Sequence, residues 1–368
     1  MLISKSRVIE AVKILDLVPV RPGIPSSEFI KVENSGQGIR LSLTSDAVGS
    51  VYVPGTEVYD VFANPFYIDR RVLMPFLFQS EAGRSDEVVV ERDKDVVEFK
   101  LGRRKLKLDA VPRVAGYGDI TKDESAVTIK FDDQQRELML CALAFTPTEQ
   151  GGLPQLQCVC LTGSKILASN DNLIFVGNSG NTITLERGHI NDLMIPLLLV
   201  GLLIEPNLRE ITATKDAVTL EFKSGKIMQP LPSQALKDFP KKKILDIAES
   251  DRIEETFNVE ATKFLKVLER FAAFMQSVKD KLIALSGKEG DTVIKISGIA
   301  SHARVSDSFG AIRITRDFKC EWPVDSIMPY IAFLAKSQLN LSAKFDDKSP
   351  YYLRSKVSLL VVSKRKAN

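Results

Sequence analysis

Histidine and cysteine, the side chains that most often bind metals or act as nucleophiles, are scarce in this chain of 368 residues. There are two histidines, His189 and His302, and four cysteines. Cys158 and Cys160 stand two positions apart in a strand-like stretch, so both side chains point to the same side of it. With no histidine or further cysteine nearby, we expect a buried, reduced pair. Zinc coordination and a disulfide scaffold are both disfavoured.

Sequence motifs for phosphate binding, nucleophilic catalysis and metal-assisted hydrolysis are missing. The sequence contains no GxxxxGK[ST], GxGxxG, GxSxG or HExxH. Ser224-Gly225-Lys226 and Ser286-Gly287-Lys288 lack the upstream glycine of a phosphate-binding loop. Asp93 and Asp95 alternate at a hairpin tip, which is typical of a solvated turn. The sequence therefore argues against an enzyme and predicts neither a cofactor nor a metal site.

The charged residues nearly balance, with 50 lysines and arginines against 47 aspartates and glutamates. A net charge of +3 excludes a protein that is a polycation over its whole surface, but it allows one locally basic surface. The polar sides of the predicted helices lean basic, and Lys263, Lys266 and Arg270 share one helix face. The candidate phosphate contacts are Arg7, Lys13, Arg21, Arg70, Arg71, Arg136, Arg187, Lys263, Lys266, Arg270 and Lys336. The alternative for each of them is a solvated helix face.

The elements that must position these residues repeat along the chain. Apolar residues at helical spacing predict two helices in each third of the sequence, separated by strand-like stretches. The predicted helices cover residues 4–17, 69–79, 135–144, 187–204, 259–276 and 324–337. The sequence VERDKDVVEFKLGRR, from Val90, recurs as TATKDAVTLEFKSGK from Thr212. A repeat of about one third of the chain is too long for a solenoid. It predicts an α+β fold of three repeated domains, 1–122, 123–248 and 249–368.

No segment of the sequence predicts membrane insertion. The first residues carry Glu10 and Asp16 among apolar ones, unlike a signal peptide. The longest apolar run, Leu193 to Ile204, is interrupted by Pro196 and Gly201. It is shorter than the roughly 20 residues of a membrane-spanning helix, so we expect a buried helix there. The chain is expected to be cytoplasmic.

Three further features accompany the repeats. The first is the loop Arg21-Pro22-Gly23-Ile24-Pro25, and the second is the pair of domain closures, Leu108 to Pro112 and Leu236 to Pro240. The third is the ending, Pro350 followed by a strand into Val361-Val362. In this combination the chain resembles the bacterial-type DNA sliding clamp, the processivity factor of replicative DNA polymerase. The resemblance implies helices on one face of each domain and antiparallel sheets on the other. Two subunits would form a head-to-tail ring around duplex DNA.

The resemblance also implies three sets of contacts. The basic residues named as candidate phosphate contacts would touch duplex DNA without sequence preference. The dimer interface would include Leu106, Phe274 and Met275, although helical spacing equally favours the last two as core. A short peptide of the polymerase or clamp loader would dock between the second and third domains. Its implied contacts are Leu173, Ile174, Ile244, Ile247, Val361 and Val362. The alternative for these six is packing within their own domains.

The chain also departs from the family. It is slightly basic, its C-terminus reads Ser363-Lys364-Arg365-Lys366-Ala367-Asn368, and a linker proline is replaced near Asp246. These departures indicate a divergent clamp and are compatible with a phage-encoded one. Two other functions stay open on the sequence: a DNA-binding processivity factor that does not encircle DNA, and a structural or interaction protein built from domain duplications.

Overall fold

The computed structural model has an α+β fold. It describes residues 2–56, 65–78, 87–93, 96–109, 114–120, 126–147, 153, 156–170, 172–181, 184–185, 192–231, 238–249, 253–279, 281–300, 303–346 and 349–363. The chain forms two compact units. The first unit comprises Met1–Lys130, Leu185–His189 and Ile204–Leu231, and the second comprises Phe131–Thr184, Ile190–Leu203 and Pro232–Asn368. The division into three domains, expected from the repeats, stays a prediction.

Eight α-helices occur in the described residues, and a short 3₁₀ turn over Leu202–Ile204 follows the fifth. The helices are α1 (Lys5–Asp16), α2 (Pro25–Glu28), α3 (Arg70–Phe78), α4 (Asp133–Leu143), α5 (Leu197–Gly201), α6 (Lys241–Glu249), α7 (Ala261–Phe274) and α8 (Val324–Lys336). Five of the six predicted helices are confirmed to within a few residues. Their apolar faces could be recognised because one buried stripe recurs at helical spacing.

The described strands form three antiparallel sheets. The strands up to β13 are β1 (Leu2–Ser4), β2 (Phe29–Asn34), β3 (Gly38–Thr44), β4 (Val48–Thr56), β5 (Phe66–Asp69), β6 (Glu87–Asp93), β7 (Val96–Leu101), β8 (Arg104–Asp109), β9 (Val127–Lys130), β10 (Cys158–Thr162), β11 (Lys165–Ser169), β12 (Leu173–Asn178) and β13 (Thr184–Leu185). The remaining strands are β14 (Asp192–Pro196), β15 (Leu208–Ala213), β16 (Ala217–Phe222), β17 (Gly225–Pro230), β18 (Glu255–Glu260), β19 (Leu282–Gly287), β20 (Val293–Ala300), β21 (Ala303–Gly310), β22 (Arg313–Ile314), β23 (Phe318–Pro323), β24 (Asn340–Lys344), β25 (Tyr351–Arg354) and β26 (Ser358–Val362).

The order of the strands leaves several sheet edges open in the described residues. In the first sheet the strands run β13-β9-β15-β16-β17-β4-β1-β6-β7-β8, and β3, β2 and β5 extend it from β4. The second sheet has the order β14-β10-β11-β12-β26-β25-β24-β18-β22, and the third the order β21-β20-β19-β23. Strand β8 thus ends the first sheet and strand β21 ends the third. A terminal strand presents backbone N–H and C=O groups that have no partner within their own sheet.

The core of the first unit lies between α1 and the strand β4. The residues that α1 buries are Val8, Ala11, Val12, Ile14 and Leu15. They recur at helical spacing and lie against β4, where Val51 is fully buried. Gly49 of β4 is required by this contact, because a Cβ there would lie 2.6 Å from Cγ2 of Val18. The same packing leaves the opposite side of α1 in solvent.

Aromatic side chains fill the core of the second unit. Phe145, after α4, stacks on Phe175 of β12 with ring centroids 5.4 Å apart, and Tyr330 of α8 meets Phe175 edge-on at 6.3 Å. The Tyr330 hydroxyl donates to the Ser358 carbonyl at 2.9 Å, so this buried polar group is paired. Trp322 lies against Phe257 at 5.7 Å. Helices α4 and α8 are thereby fixed to one side of the second sheet.

The prediction of a helix over residues 187–204 was wrong. Residues 192–196 form strand β14, which pairs with β10 in the register Cys160↔Met194, and only 197–201 are α-helical. An apolar run that lacks a clear period is compatible with a strand or a helix, and here the neighbouring strand decides. The sequence also failed to predict helix α6 and strand β21.

Candidate nucleic-acid interface and partner surface

Exposed basic side chains line one side of three helices. On α1, Arg7 and Lys13 are exposed opposite the buried stripe. On α4, Arg136 is exposed just after a capping box, in which the Gln135 N–H donates to Asp132 at 2.7 Å. That cap satisfies backbone donors at the helix start and so fixes where the helix begins. These three cations have no ion pair among the described residues.

Helix α7 presents the predicted basic face in full. Lys263, Lys266 and Arg270 are all exposed, opposite five buried residues of the same helix. Lys263 binds Glu260 at 2.9 Å and Arg270 binds Asp307 at 2.7 Å, whereas Lys266 has no ion pair in the described part of the chain. Surface pairs of this kind contribute little and are readily exchanged for another anion. The α7 face can therefore approach a row of phosphates.

The remaining predicted phosphate contacts differ in how firmly they are held. Lys336 of α8 is exposed and binds Glu137 at 2.6 Å within the second unit. Arg21 is half-buried and its guanidinium donates to Asp46. Arg71 is exposed and binds Asp69 at 2.8 Å, and its hydrogen bonds hold the pKa of Asp69 below the ordinary value. Arg187 lies outside the described residues.

Arg70 was predicted to contact phosphate, and this prediction was wrong. Its side chain is buried, and its guanidinium donates to the Val18 carbonyl at 2.8 Å and to the Asp16 carboxylate at 2.8 Å. Both partners lie at the end of α1, so Arg70 ties α3 to α1. A guanidinium enclosed in this way is a structural group and cannot reach DNA.

The six predicted partner contacts do not share one face. Residues opposite each other in an antiparallel pair lie on the same side of the sheet, and neighbours along a strand alternate. Phe175 faces the helices, so Leu173 and its register partner Val362 face them too, while Ile174 and Val361 point to the other side. Leu173 and Val362 are buried core residues, which corrects their assignment to a groove.

The side of the second sheet away from α4 and α8 is contacted by α6. Arg354, on β25, donates to the Ala248 carbonyl of α6 at 3.4 Å. Ile244 of α6 is 1% exposed and Val361 is 4% exposed, so both are packed rather than open to a partner. Ile174 and Ile247 are half-buried. Of the predicted groove, these two side chains keep surface that a partner can contact.

The start of α6 borders a basic cavity of about 580 Å³. The lining includes Pro240, Ile247 and the lysines at positions 241–243. Lys241 is engaged, because its ammonium binds Asp192 at 2.6 Å. Burial opposes ionisation of Asp192, but hydrogen bonds from Lys241 and Thr162 leave its pKa below the ordinary value. Lys242 and Lys243 are exposed, so the cavity combines an apolar wall with exposed positive charge.

Of the three predicted dimer contacts, two are half-buried and one is fully buried. Leu106 is half-buried on β8, the terminal strand of the first sheet, and Phe274 is half-buried at the end of α7. Met275 is fully buried, close to Gly298 of β20, so it belongs to the core and its assignment to an interface is corrected. The open strand β21 was missed, although exposed and less exposed positions alternate along most of its length.

Little in the described residues fits metal or redox chemistry. They contain no group of three histidine, cysteine, aspartate or glutamate residues that could hold a metal ion. All four cysteines are buried and unbonded, and burial raises the pKa of the Cys158 and Cys160 thiols to about 12. None of the described helices is long and apolar enough to cross a membrane.

Solved structures of other proteins share the fold of this chain. No family model matches the chain, and no curated protein does. The DNA polymerase sliding clamp from Bacillus subtilis is 15% identical, with a TM-score of 0.80 over 100% of this chain and 99% of that one. The DNA polymerase III subunit beta from Pseudomonas aeruginosa is 12% identical, with a TM-score of 0.79 over the whole of both chains. A Helicobacter pylori beta clamp bound to a DNA ligase peptide is 10% identical, with a TM-score of 0.75 over 100% of this chain and 99% of that one. The chain thus has the fold of bacterial sliding clamps along its entire length.

Proposed function

We propose that this chain is a DNA sliding clamp, a ring of two copies that encircles duplex DNA and tethers a replicative polymerase as its processivity factor. The observation that carries the proposal is the likeness to sliding clamps, with a TM-score of 0.80 over 100% of this chain and 99% of the Bacillus subtilis clamp. In this proposal the chain consists of the three domains predicted from its repeats, acts in the cytoplasm and is not an enzyme.

The exposed helix faces supply the DNA contact. Arg7, Lys13, Arg136 and Lys266 are single cations without ion pairs in the described residues, and Lys263 and Arg270 hold only surface pairs. Contacts to phosphates position a protein on DNA but carry no sequence information. A few such contacts bind weakly and in a salt-dependent way, which suits a ring that has to slide. Enclosure, rather than affinity, would then keep the protein on DNA.

The open edges of two sheets supply the closure of the ring. If β8 of one copy pairs with β21 of the next, the unpaired backbone groups of both strands are satisfied. A head-to-tail contact repeated by a twofold rotation closes into a ring. Leu106 on β8 and Phe274 on α7 are half-buried in the single chain, and pairing would cover them further. Opening this ring would be the task of a separate clamp loader.

Peptide segments of the polymerase and the loader would bind the partner surface near α6. Ile174 and Ile247 offer partly exposed apolar contacts, and Lys242 and Lys243 offer positive charge. We therefore expect a peptide with an apolar anchor and acidic flanks. The Helicobacter pylori clamp bound to a DNA ligase peptide supports a peptide partner for this fold. Affinity would come mostly from a few buried anchors.

The mass of the protein in solution tests the proposed ring. The proposal predicts a particle of about twice the 40.8 kDa chain mass in sedimentation equilibrium. Leu106→Asp should give a folded monomer, because Leu106 is only half-buried and the charge would lie at the open edge. A control with the same change of charge is Lys107→Ala, on the opposite side of the same strand, which should stay dimeric. A monomer for the unaltered chain at micromolar concentration would contradict the proposal.

A further inference from the structure

A large cavity lies in the first unit and is bordered by the basic helix α1. It has a volume of about 1040 Å³ and lies among the start of α1, the strands β2 to β4 and the turn between β16 and β17. That turn approaches β4 closely, since the Tyr52 N–H donates to the Ser224 carbonyl at 3.1 Å. Gly225 permits the approach, because a Cβ there would lie 2.6 Å from Cγ2 of Val51.

An exposed aromatic side chain stands in this cavity. Tyr52 is 41% exposed, whereas its neighbours Val51 and Val53 are fully buried, so the ring points away from the core. Its register partner on β3 is Arg40, which also lines the cavity. The Tyr52 hydroxyl makes no hydrogen bond within the described residues. An exposed ring beside a guanidinium is the arrangement on which an unpaired nucleobase stacks.

The charges that line the cavity leave three free cations. Lys31 and Arg40 bind Glu33 at 2.8 and 3.6 Å, and Lys226 binds Glu221 at 2.7 Å, so these two glutamates are neutralised locally. The cations in the cavity that have no ion pair within the described ranges are Arg7, Arg209 and Lys223. The hydroxyls of Ser42, Ser50 and Ser224 lie in the same lining and can donate to anionic oxygens.

We propose that this cavity binds single-stranded nucleic acid, with a base stacked on Tyr52 and the neighbouring phosphates held by Arg209 and Lys223. The exposed ring of Tyr52 favours a strand with bases that can stack on it over a peptide of carboxylate side chains, and Glu10 and Asp119 in the lining repel phosphates and carboxylates alike. In a duplex the bases are stacked inside and cannot reach Tyr52. The proposal does not depend on ring formation or on encirclement of DNA.

The test is fluorescence anisotropy with a labelled 20-nucleotide oligothymidine and with a blunt 20-base-pair duplex. Tyr52→Leu should weaken oligothymidine binding by about fivefold or more, because it removes the stacking surface, while Tyr52→Phe should retain binding. Arg209→Ala with Lys223→Ala should lower the slope of log K against log salt by roughly 0.7 for each phosphate that is no longer neutralised. The matched control is Lys295→Ala with Lys319→Ala, an equal change of charge on the third sheet, which should change nothing.

Three results would overturn the proposal. One is unchanged oligothymidine binding by a folded Tyr52→Leu variant. Another is an equal weakening of binding in the Lys295 and Lys319 control, which would indicate adsorption by net charge. A third is competition by decaglutamate as strong as that by an oligonucleotide of equal charge, which would indicate a peptide site. If Tyr52→Leu does not fold by circular dichroism, ultraviolet crosslinking of the unaltered protein decides. The crosslinked peptide should contain Tyr52, and a crosslink confined to other strands would contradict the site.

Discussion

The basic helix faces were predicted from residue type and spacing, whereas the apolar partner contacts around α6 were implied by the resemblance to sliding clamps. The structure agrees with the first prediction more fully than with the second. On α1, α4 and α7 every described cation assigned to a helix face is exposed. Around β12 and β26, four of the six assigned apolar residues are buried in the chain itself. The difference follows from chemistry: a lysine cannot be enclosed cheaply without a partner, whereas a valine or isoleucine packs wherever the chain offers a surface. Exposure of charge is thus easier to infer than availability of an apolar side chain.

The sharpest contrast within the apolar set is between Val361 and Ile174, which are register partners on one side of the second sheet. Val361→Asp should destabilise the protein by about 3 kcal/mol or more, because it buries an unpaired charge. Ile174→Asp should leave the protein folded and weaken peptide binding, since Ile174 keeps exposed surface. Thermal denaturation followed by circular dichroism separates the two variants. Equal melting temperatures would show that Val361 is not packed.

Arg70 and Arg71 provide the same contrast among the cations. Arg70→Ala should lower the free energy of unfolding by about 2 kcal/mol, because it leaves the buried Val18 carbonyl without its donor. Arg71→Ala should have no measurable effect, since its pair with Asp69 is exposed. Urea titration of both variants measures the difference. A large drop in stability for Arg71→Ala alone would show that Arg71, and not Arg70, is the structural residue.

The exposed cations should affect DNA binding without affecting stability. Lys266→Ala should lower the salt slope for duplex DNA binding by about 0.9, the value expected for one phosphate contact. Replacing Lys319, an exposed lysine of the third sheet, should leave the slope unchanged. Anisotropy at several salt concentrations, on DNA of two unrelated sequences, checks both statements. Equal slopes for Lys266→Ala and the unaltered protein would remove α7 from the interface.

The smallest predicted effect on stability concerns the ion pair between Lys241 and Asp192, at the start of α6. The pKa of Asp192 is lowered in the folded protein, so its contribution to stability is present above the ordinary value of 3.8 and is lost as the pH falls through the folded value. Lys241→Ala should remove the part of that contribution that comes from the ion pair, which is below about 1 kcal/mol for a pair this exposed. Melting curves at pH 7 and pH 3 should differ less for the variant than for the unaltered chain. An identical pH dependence in both would exclude the pair as its source.

Much of the fold was predictable because helices bury one stripe at a regular spacing. Helices α1, α3, α4, α7 and α8 follow that rule and were predicted within a few residues. Residues 192–196 were not, because Leu193-Met194-Ile195 are apolar on both sides of the chain and only pairing with β10 fixes them as a strand. Helix α6 was not predicted, because its first turn consists of lysines 241–243 and only Ile244 and Ala248 are buried along it.

The site was predictable only where exposure depends on local structure. The face formed by Lys263, Lys266 and Arg270 follows from the spacing of one helix. Arg70 could not be told apart from Arg71, because the Val18 carbonyl and the Asp16 carboxylate that enclose it are brought there by folding, from more than 50 residues away along the chain. The cavity around Tyr52 likewise depends on the turn between β16 and β17, which is distant from Tyr52 along the chain. Long-range packing, and not residue type, decided each of these cases.

Retention on closed DNA tests the proposed ring most directly. The protein would be dissociated at low concentration, reassembled by concentration in the presence of a nicked circular plasmid, and separated from free protein by gel filtration in high salt, which suppresses phosphate contacts. The proposal predicts that protein stays with the circular plasmid and is released when a restriction enzyme linearises it. Equal release from circular and linear DNA would contradict encirclement.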